Sequence, residues 1–184
     1  MGNQVGADIR AIRRSRAMTL HGLSAAVGRS PGWLSLIERG LAEPSIRDLE
    51  RIATVFAVNI SFFFRSSGRD EAEKGLVLRG ADRSTLGTQA SGLVEELLSP
   101  TLTGAFEMIK STFAPRASSE GMHPARAPEH GGILLSGRLI LIVDGVRVTL
   151  EPGDSFQFKE KSYGWENPGD APAVVVWVVA PPVY

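Results

Sequence analysis

A chain of 184 residues with 43% hydrophobic and 22% charged residues has the length and composition of one or two folded domains. It contains no cysteine, which excludes disulfides, thiolate metal sites and a cysteine nucleophile. No apolar run is long enough to span a bilayer, and the N-terminus lacks the apolar core of a signal peptide, so we expect a cytoplasmic protein with no membrane partner.

The net charge of zero conceals an asymmetry between the two parts of the chain. Residues 1–65 contain nine arginines, no lysine and five acidic residues, a balance of +4, whereas residues 66–184 carry −4. A basic N-terminal part followed by an acidic C-terminal part is typical of a DNA-binding domain joined to a domain that does not bind DNA.

The first predicted element is an amphipathic helix. Val5, Ile9 and Ile12 recur at helical spacing, so one face is buried and the arginines between 10 and 16 turn outward. This arginine cluster fits either a surface that contacts DNA phosphates or a merely solvated helix face.

Residues 19–40 are predicted to form two short helices joined by a tight turn. Thr19 is a good N-cap for the first helix, and Gly28 ends it in a left-handed conformation that lets the chain reverse. Ser30 caps the second helix, with Pro31 at its first helical position. This order is the helix-turn-helix pattern, in which the second helix enters the DNA major groove.

The helical domain ends with one more helix and an aromatic run. Ser45 is placed to cap that helix, with Asp48 as its capping-box partner, and apolar residues follow at helical spacing through 46–56. Residues 62–64 are expected to close the small core or to contact a partner subunit. The polar segment 66–74 is predicted to be a linker.

Three groups of residues in this domain resemble the lambda-repressor-like (XRE) helix-turn-helix proteins: Ile9-Arg10-x-Ile12-Arg13, Thr19-Leu20-x-x-Leu23-Ser24, and Leu34-Ser35-x-Ile37-Glu38-Arg39-Gly40 followed by Pro44-Ser45. The resemblance implies that Glu38 pairs with an arginine of the first helix, here Arg10 or Arg13. At position 20 the family often has a glutamine that touches a phosphate, and this chain departs from the family with leucine, so the resemblance does not carry that contact over.

After the linker, the apolar period changes from helical to that of strands. The clearest signal is a β-hairpin formed by 139–143 and 146–150 around Asp144-Gly145, a pair suited to a type I′ turn. Further strands are predicted at 76–78, 93–98, 106–113, 156–158 and 174–179. Many short strands at regular spacing predict a sandwich or a barrel.

Three motifs in this second part resemble the cupin jelly-roll barrel: Gly132-Ile-Leu-Leu-Ser-Gly137, Leu150-Glu-Pro-Gly-Asp154 and Glu166-Asn167-Pro168. The expected fold is therefore α+β with two domains, a helix-turn-helix bundle over 1–65 and a cupin-like barrel over 75–184. We expect the barrel to bind an effector and to dimerise the chain.

The cupin resemblance also implies where metal ligands would lie. His123 falls at the first ligand position, His130 with Glu129 beside it at the glutamate position, and Tyr163 at the third histidine. The second histidine is replaced by alanine or arginine at 125 or 126. Such a set could suit Zn, Fe or Ni, but catalytic sites typically need three protein ligands, so we favour a metal-free pocket and expect no cofactor. The candidate effector-pocket residues are His123, Glu129, His130, Tyr163 and Trp165.

The favoured hypothesis is a transcriptional regulator that binds double-stranded DNA as a homodimer and responds to an unknown small molecule, rather than an enzyme. One alternative is a cupin metalloenzyme, such as a mononuclear iron oxygenase or epoxidase, because some epoxidases resemble this layout. Another is a constitutive DNA-binding or antitoxin-like protein whose barrel serves dimerisation alone. The candidate DNA-contacting residues are Arg13, Arg14, Thr19, Arg29, Ser30, Pro31, Gly32, Trp33, Ser35 and Arg39.

Overall fold

The computed structural model describes residues 2–58, 60–64, 71–73, 75–86 and 92–183, and it divides into two compact units. The first unit comprises 1–84 with 99–104, and the second 85–98 with 105–183. Most of the predicted linker 66–74 lies outside the described residues, and Glu71–Glu73 within it form a short 3-10 helix.

The helices of the first unit are α1 (Gly2–Ser15), α2 (Leu20–Ala26), α3 (Pro31–Glu38) and α4 (Ile46–Val55), followed by a short 3-10 helix at Ile60–Phe64. The predicted N-caps are confirmed by side-chain hydrogen bonds. Thr19 Oγ1 accepts from the backbone N–H of Gly22, and Ser30 Oγ accepts from that of Trp33. Each bond satisfies a helix-terminal amide that has no partner inside the helix.

The core of the first unit is built from one apolar stripe on each helix. Its fully buried members are Ile9, Ile12, Leu23, Leu34, Ile37, Ile52, Phe56 and Phe62. Phe63 is buried with them, whereas Phe64 is 39% exposed, so two of the three predicted aromatic residues belong to this core. None of the described helices is long and apolar enough to cross a membrane.

The second unit consists of antiparallel strands in two sheets. The strands are β1 (Thr85–Leu86), β2 (Leu93–Leu97), β3 (Glu107–Phe113), β4 (Glu129–Ser136), β5 (Leu139–Val143), β6 (Val146–Leu150), β7 (Ser155–Lys159), β8 (Tyr163–Glu166) and β9 (Ala173–Ala180). A six-stranded sheet has the order β1-β2-β3-β9-β4-β7, and a three-stranded sheet has the order β6-β5-β8.

The predicted hairpin is present with the predicted bounds. Asp144 and Gly145 both have positive φ, +48° and +82°, as a type I′ turn requires. The strand predicted at 76–78 is wrong: the segment begins in a turn after the left-handed Gly75, continues as irregular backbone, and leaves Leu76 73% exposed.

The barrel core lies between the two sheets because alternate residues of each strand point inward. On β3 the buried residues are Glu107, Ile109, Ser111 and Phe113, and on β9 they include Val175, Trp177 and Val179. One charged and one polar residue therefore occupy inward positions on β3. They mark the part of the interior that is not simply apolar.

Candidate DNA-contacting surface and barrel pocket

Helix α3 turns its N-terminal residues to the surface of the first unit. Leu34 and Ile37 are fully buried, whereas Gly32 is exposed and Trp33 and Ser35 are partly exposed. The first turns of this predicted recognition helix are therefore accessible, as base contact in a major groove requires.

Arg29, just before α3, is held by contacts with Asp48 on α4 and with Trp33 on α3. Its guanidinium makes a two-pronged ion pair with Asp48, with Nε 2.9 Å from Oδ1 and Nη2 3.1 Å from Oδ2. It also lies 5.4 Å from the ring centroid of Trp33, within cation–π range. With 42% of its side chain exposed, Arg29 still presents part of its charge at the surface.

Arg13 has a structural role that its predicted DNA contact did not include. Its Nε and Nη2 donate to the two carboxylate oxygens of Glu38 at 2.6 and 2.9 Å, and Nη1 donates to the carbonyl of Met18. The hydrogen bond to Glu38 raises the pKa of Arg13. Because its side chain is 12% exposed and its donors are engaged within the domain, we remove Arg13 from the DNA-contacting set.

The other basic candidates remain at the surface. Arg14 and Arg39 are exposed, and Arg39 Nε donates to the carbonyl of Ser35 at 3.2 Å. Thr19 and Ser30 are exposed N-caps of α2 and α3. All four are therefore accessible for contact with DNA.

The barrel encloses a cavity of about 40 Å³. Its walls are largely aromatic, formed by Phe113, Tyr163, Trp165 and Trp177 with several aliphatic residues. The polar residues that line it are Glu95, Glu107, Ser111, Arg126 and His130.

Strand register places two buried ionisable residues of the cavity, Glu107 and His130, in one row. Glu107 on β3 pairs with Val179 on β9, which pairs in turn with His130 on β4. Residues opposite one another on neighbouring strands share a face of the sheet. Glu107 and His130 therefore point into the barrel from two strands separated by one other.

Both of these residues carry an atom without a hydrogen bond. Glu107 Oε1 accepts from the backbone N–H of Val183 at 3.1 Å, but Oε2 has no partner among the described residues, and neither has Nδ1 of His130. The two side chains are 1% and 2% exposed. Burial raises the pKa of Glu107 and lowers that of His130. Buried polar atoms in folded proteins nearly always have a hydrogen-bond partner, whether protein, water, ion or ligand, so both atoms are free to bind a group that enters the cavity.

The predicted pocket residues divide into two groups. His130, Tyr163 and Trp165 line the cavity, and the ring of His130 stacks on Phe158 with centroids 5.1 Å apart. Glu129, in contrast, lies on the outer face of the sheet, where its carboxylate accepts from Gln157 at 2.7 Å. Neighbouring residues of a strand point to opposite faces, so Glu129 and His130 do not serve the same site.

His123 also falls outside the cavity. Its backbone pairs with that of Tyr163, its side chain is exposed, and it does not line the cavity. Consistent with this, the described residues contain no group of three or more His, Cys, Asp or Glu that could hold a metal ion. The ligand set implied by the cupin resemblance therefore does not fit a metal here.

Sequence reasoning missed Glu95, Glu107, Ser111, Arg126 and Trp177, which also line the cavity. One local signal was available. In 107–113 every second residue reads Glu, Ile, Ser, Phe, so the parity that buries Ile109 and Phe113 also turns Glu107 inward.

Comparison with known proteins gives two family matches. Residues 4–60 match the model of a helix-turn-helix domain, and residues 110–179 match that of a cupin domain. No curated protein matches the chain in sequence.

Solved structures similar to this chain include an epoxidase, a cupin and a transcriptional regulator. Hydroxypropylphosphonic acid epoxidase from S. wedmorenis is 16% identical over 97% of this chain and 97% of its own, with a TM-score of 0.51. An RmlC-like cupin from Shewanella frigidimarina is 20% identical over 58% of this chain and 91% of its own, with a TM-score of 0.50. An HTH_3 family transcriptional regulator from Vibrio cholerae is 22% identical over 98% of this chain and 97% of its own, with a TM-score of 0.46. Residues 4–60 thus match the helix-turn-helix domain family, and residues 110–179 match the cupin domain family.

Proposed function

We propose that this chain is a sequence-specific DNA-binding transcriptional regulator controlled by a small molecule bound in the cupin barrel. The joining of a helix-turn-helix domain to a cupin domain supports a DNA-binding regulator. The observation that carries the control by a ligand is the barrel cavity, in which two buried polar atoms have no hydrogen-bond partner among the described residues.

Helix α3 is the proposed reading element, entering the major groove through its first turns. Pro31 and Gly32 offer no side-chain hydrogen bond, so base recognition rests on Trp33 and Ser35. Apolar contact of Trp33 with a thymine methyl group and a hydrogen bond from Ser35 are the chemistry available there. The residues proposed to contact phosphates are Arg14, Thr19, Arg29, Ser30 and Arg39.

A single short helix gives little binding energy, so we propose a homodimer that presents two copies of α3. Dimeric helix-turn-helix proteins bind two half-sites about one helical turn apart. The barrel ligand acts on DNA affinity to the extent that it binds the DNA-competent arrangement more tightly than the other. This requirement applies whether the output is repression or activation.

Footprinting on genomic fragments, including the region upstream of the chain's own gene, tests the DNA-binding function. We expect a protected site with two-fold symmetry, lost in Trp33→Ala and retained in Arg138→Ala, a control in the barrel whose guanidinium pairs with Glu151. Failure to protect any fragment at low salt would contradict the proposal.

An iron-dependent reaction is disfavoured by the geometry of the candidate ligands. Of the three histidines in the chain, His130 lines the cavity, His123 does not, and His21 lies on α2 of the other unit. The carboxylate of Glu129 faces outward. We therefore propose that the barrel is not a metalloenzyme site. Stoichiometric uptake of Fe(II) that is abolished by His130→Ala would contradict this.

A further inference from the structure

We propose that the barrel cavity binds a small primary ammonium compound, held between Glu107 and His130 and enclosed by aromatic rings. The inference rests on the proposed ligand-binding function of the barrel and specifies the chemistry of the ligand. It follows from three properties of the cavity: its charge, its unpartnered acceptors and its walls.

The charges around the cavity favour a cation. Two carboxyl groups, those of Glu95 and Glu107, face it against one guanidinium, that of Arg126. Arg126 is exposed and donates through Nη2 to the carbonyl of Val183 at 3.3 Å, while Ser111 is the donor to Glu95, at 3.1 Å. A carboxylate ligand would be repelled by two acidic groups, whereas an ammonium group would be attracted by them.

The unpartnered atoms favour a ligand with several N–H donors. Glu107 Oε2 accepts hydrogen bonds when ionised, and His130 Nδ1 accepts when the neutral ring carries its proton on Nε2. The backbones of these residues lie two strand spacings apart, roughly 10 Å, and both side chains project from the same face of the sheet into the barrel, one on either side of Val179. A primary ammonium has three N–H donors, enough to supply both acceptors, whereas an alcohol has one O–H donor.

The cavity walls suit an ammonium group with a short alkyl chain. Aromatic faces attract cations, and the ring of Tyr163 lies 5.9 Å from that of Trp177 on the cavity wall. The cavity volume of about 40 Å³ limits the ligand to a few heavy atoms.

Three probes of nearly equal size separate the possible ligand charges: n-butylamine, which is protonated at neutral pH, n-butanol and butyrate. We expect n-butylamine to raise the melting temperature of the full-length chain and to bind about tenfold or more tightly than n-butanol, with no binding of butyrate, in calorimetric titrations. Equal or tighter binding of n-butanol or butyrate, or no binding of n-butylamine, would overturn the inference.

Variants of the carboxyl groups locate the bound cation. Glu107→Gln keeps an acceptor for the Val183 amide and removes the charge, so n-butylamine affinity should fall by about tenfold or more. The matched control is Glu96→Gln on β2, because Glu96 pairs with Lys110 and does not line the cavity. If Glu107→Gln does not fold, Glu95→Gln replaces it, with an expected loss of several-fold. Unchanged affinity in the folded variant would overturn the inference.

The same probes and variants, combined with measurements of DNA affinity, distinguish a wrong ligand assignment from a wrong proposal of regulation by a ligand. If n-butanol or butyrate binds best and alters DNA affinity, control by a ligand stands and the ammonium assignment falls. If n-butylamine binds in a Glu107-dependent manner and leaves DNA affinity unchanged, the ammonium assignment stands and control by this ligand falls.

Discussion

Arg13 of α1 and Glu38 of α3 form a two-pronged ion pair, with Nε–Oε1 and Nη2–Oε2 distances of 2.6 and 2.9 Å. Their side chains are 12% and 4% exposed. A carboxylate at the last residue of a helix lies at the negative end of the helix dipole, so Glu38 depends on a cation from elsewhere. The pair therefore fixes the end of α3 to α1.

Replacing Arg13 should destabilise the first domain strongly. Arg13→Ala leaves the buried carboxylate of Glu38 without its partner, and loss of one member of a buried pair costs about 3–5 kcal/mol of unfolding free energy. The measurement is urea denaturation followed by the helical circular dichroism signal.

The matched control for this variant is Arg14→Ala, the exposed neighbour on the same helix, which should change stability by less than about 0.5 kcal/mol. The double variant Arg13→Ala with Glu38→Gln should recover part of the loss, because no buried charge remains. Equal stability of Arg13→Ala and Arg14→Ala would show that the pair does not hold the helices together.

Replacing Gly6, which lies where α1 packs against α3, should destabilise the first domain. A Cβ atom at this position would overlap the carbonyl oxygen of Ile37, a backbone atom that cannot turn away. We expect Gly6→Ala to cost about 1–3 kcal/mol, although alanine normally favours a helix. At Gly32, where the nearest atom is 4.0 Å away, the same substitution should stabilise by up to about 1 kcal/mol. Chemical denaturation of both variants checks this contrast, and a Gly6→Ala protein as stable as Gly32→Ala would contradict it.

Elements encoded by neighbouring residues could be predicted well from the sequence. The hairpin 139–150 has the predicted bounds because alternation and the Asp144-Gly145 turn are both local signals. Strand β4 was not predicted as a strand, since Gly131 and Gly132 lower its β propensity. It forms because β7 and β9 pair with it on either side, and such tertiary pairing leaves no local mark.

Side-chain direction was the harder part of the site to predict. Glu129 and His130 are adjacent in sequence, and a motif count cannot decide which of the two faces the interior. The choice between Arg10 and Arg13 as partner of Glu38 likewise depends on how α1 is rotated against α3. The inward-facing residue of the strand and the arginine that pairs with Glu38 are both determined by packing between segments that are distant in the sequence.

Arg39 should contribute to DNA affinity without reading sequence. If its guanidinium contacts a phosphate, Arg39→Ala should weaken binding to specific and random fragments alike, and the slope of log K against log salt should become shallower by about 0.9. Fluorescence anisotropy over a series of salt concentrations measures both quantities. An unchanged slope would contradict the phosphate contact.

Trp33 should contribute to affinity for the specific site and not to affinity for random DNA. If it contacts base edges, Trp33→Ala should weaken binding to the specific site by about 1–3 kcal/mol and leave binding to random DNA nearly unchanged. Arg138→Ala serves as the control, since this barrel residue should alter neither. Equal losses on specific and random DNA would indicate that Trp33 does not read sequence.

Glu107 should make the barrel less stable as the pH rises. Burial raises the pKa of this carboxyl, so over the interval between the ordinary and the raised value the folded chain holds a proton that the unfolded chain has released. The unfolding free energy therefore falls as the pH increases through that interval. Glu107→Gln removes this dependence, so its melting temperature should exceed that of the wild type at about pH 8, with the difference shrinking toward about pH 4.

The design of this experiment isolates Glu107 from its neighbours. The lowered pKa of His130 weakens stability at acid pH, but it does so in both proteins and largely cancels in the comparison. Glu129→Gln, on the outer face of the same sheet, should follow the wild type at every pH. A Glu107→Gln melting temperature that tracks the wild type across the whole range would mean that the folded barrel holds this carboxylate without strain. In that case the unpartnered oxygen would no longer point to a missing cation.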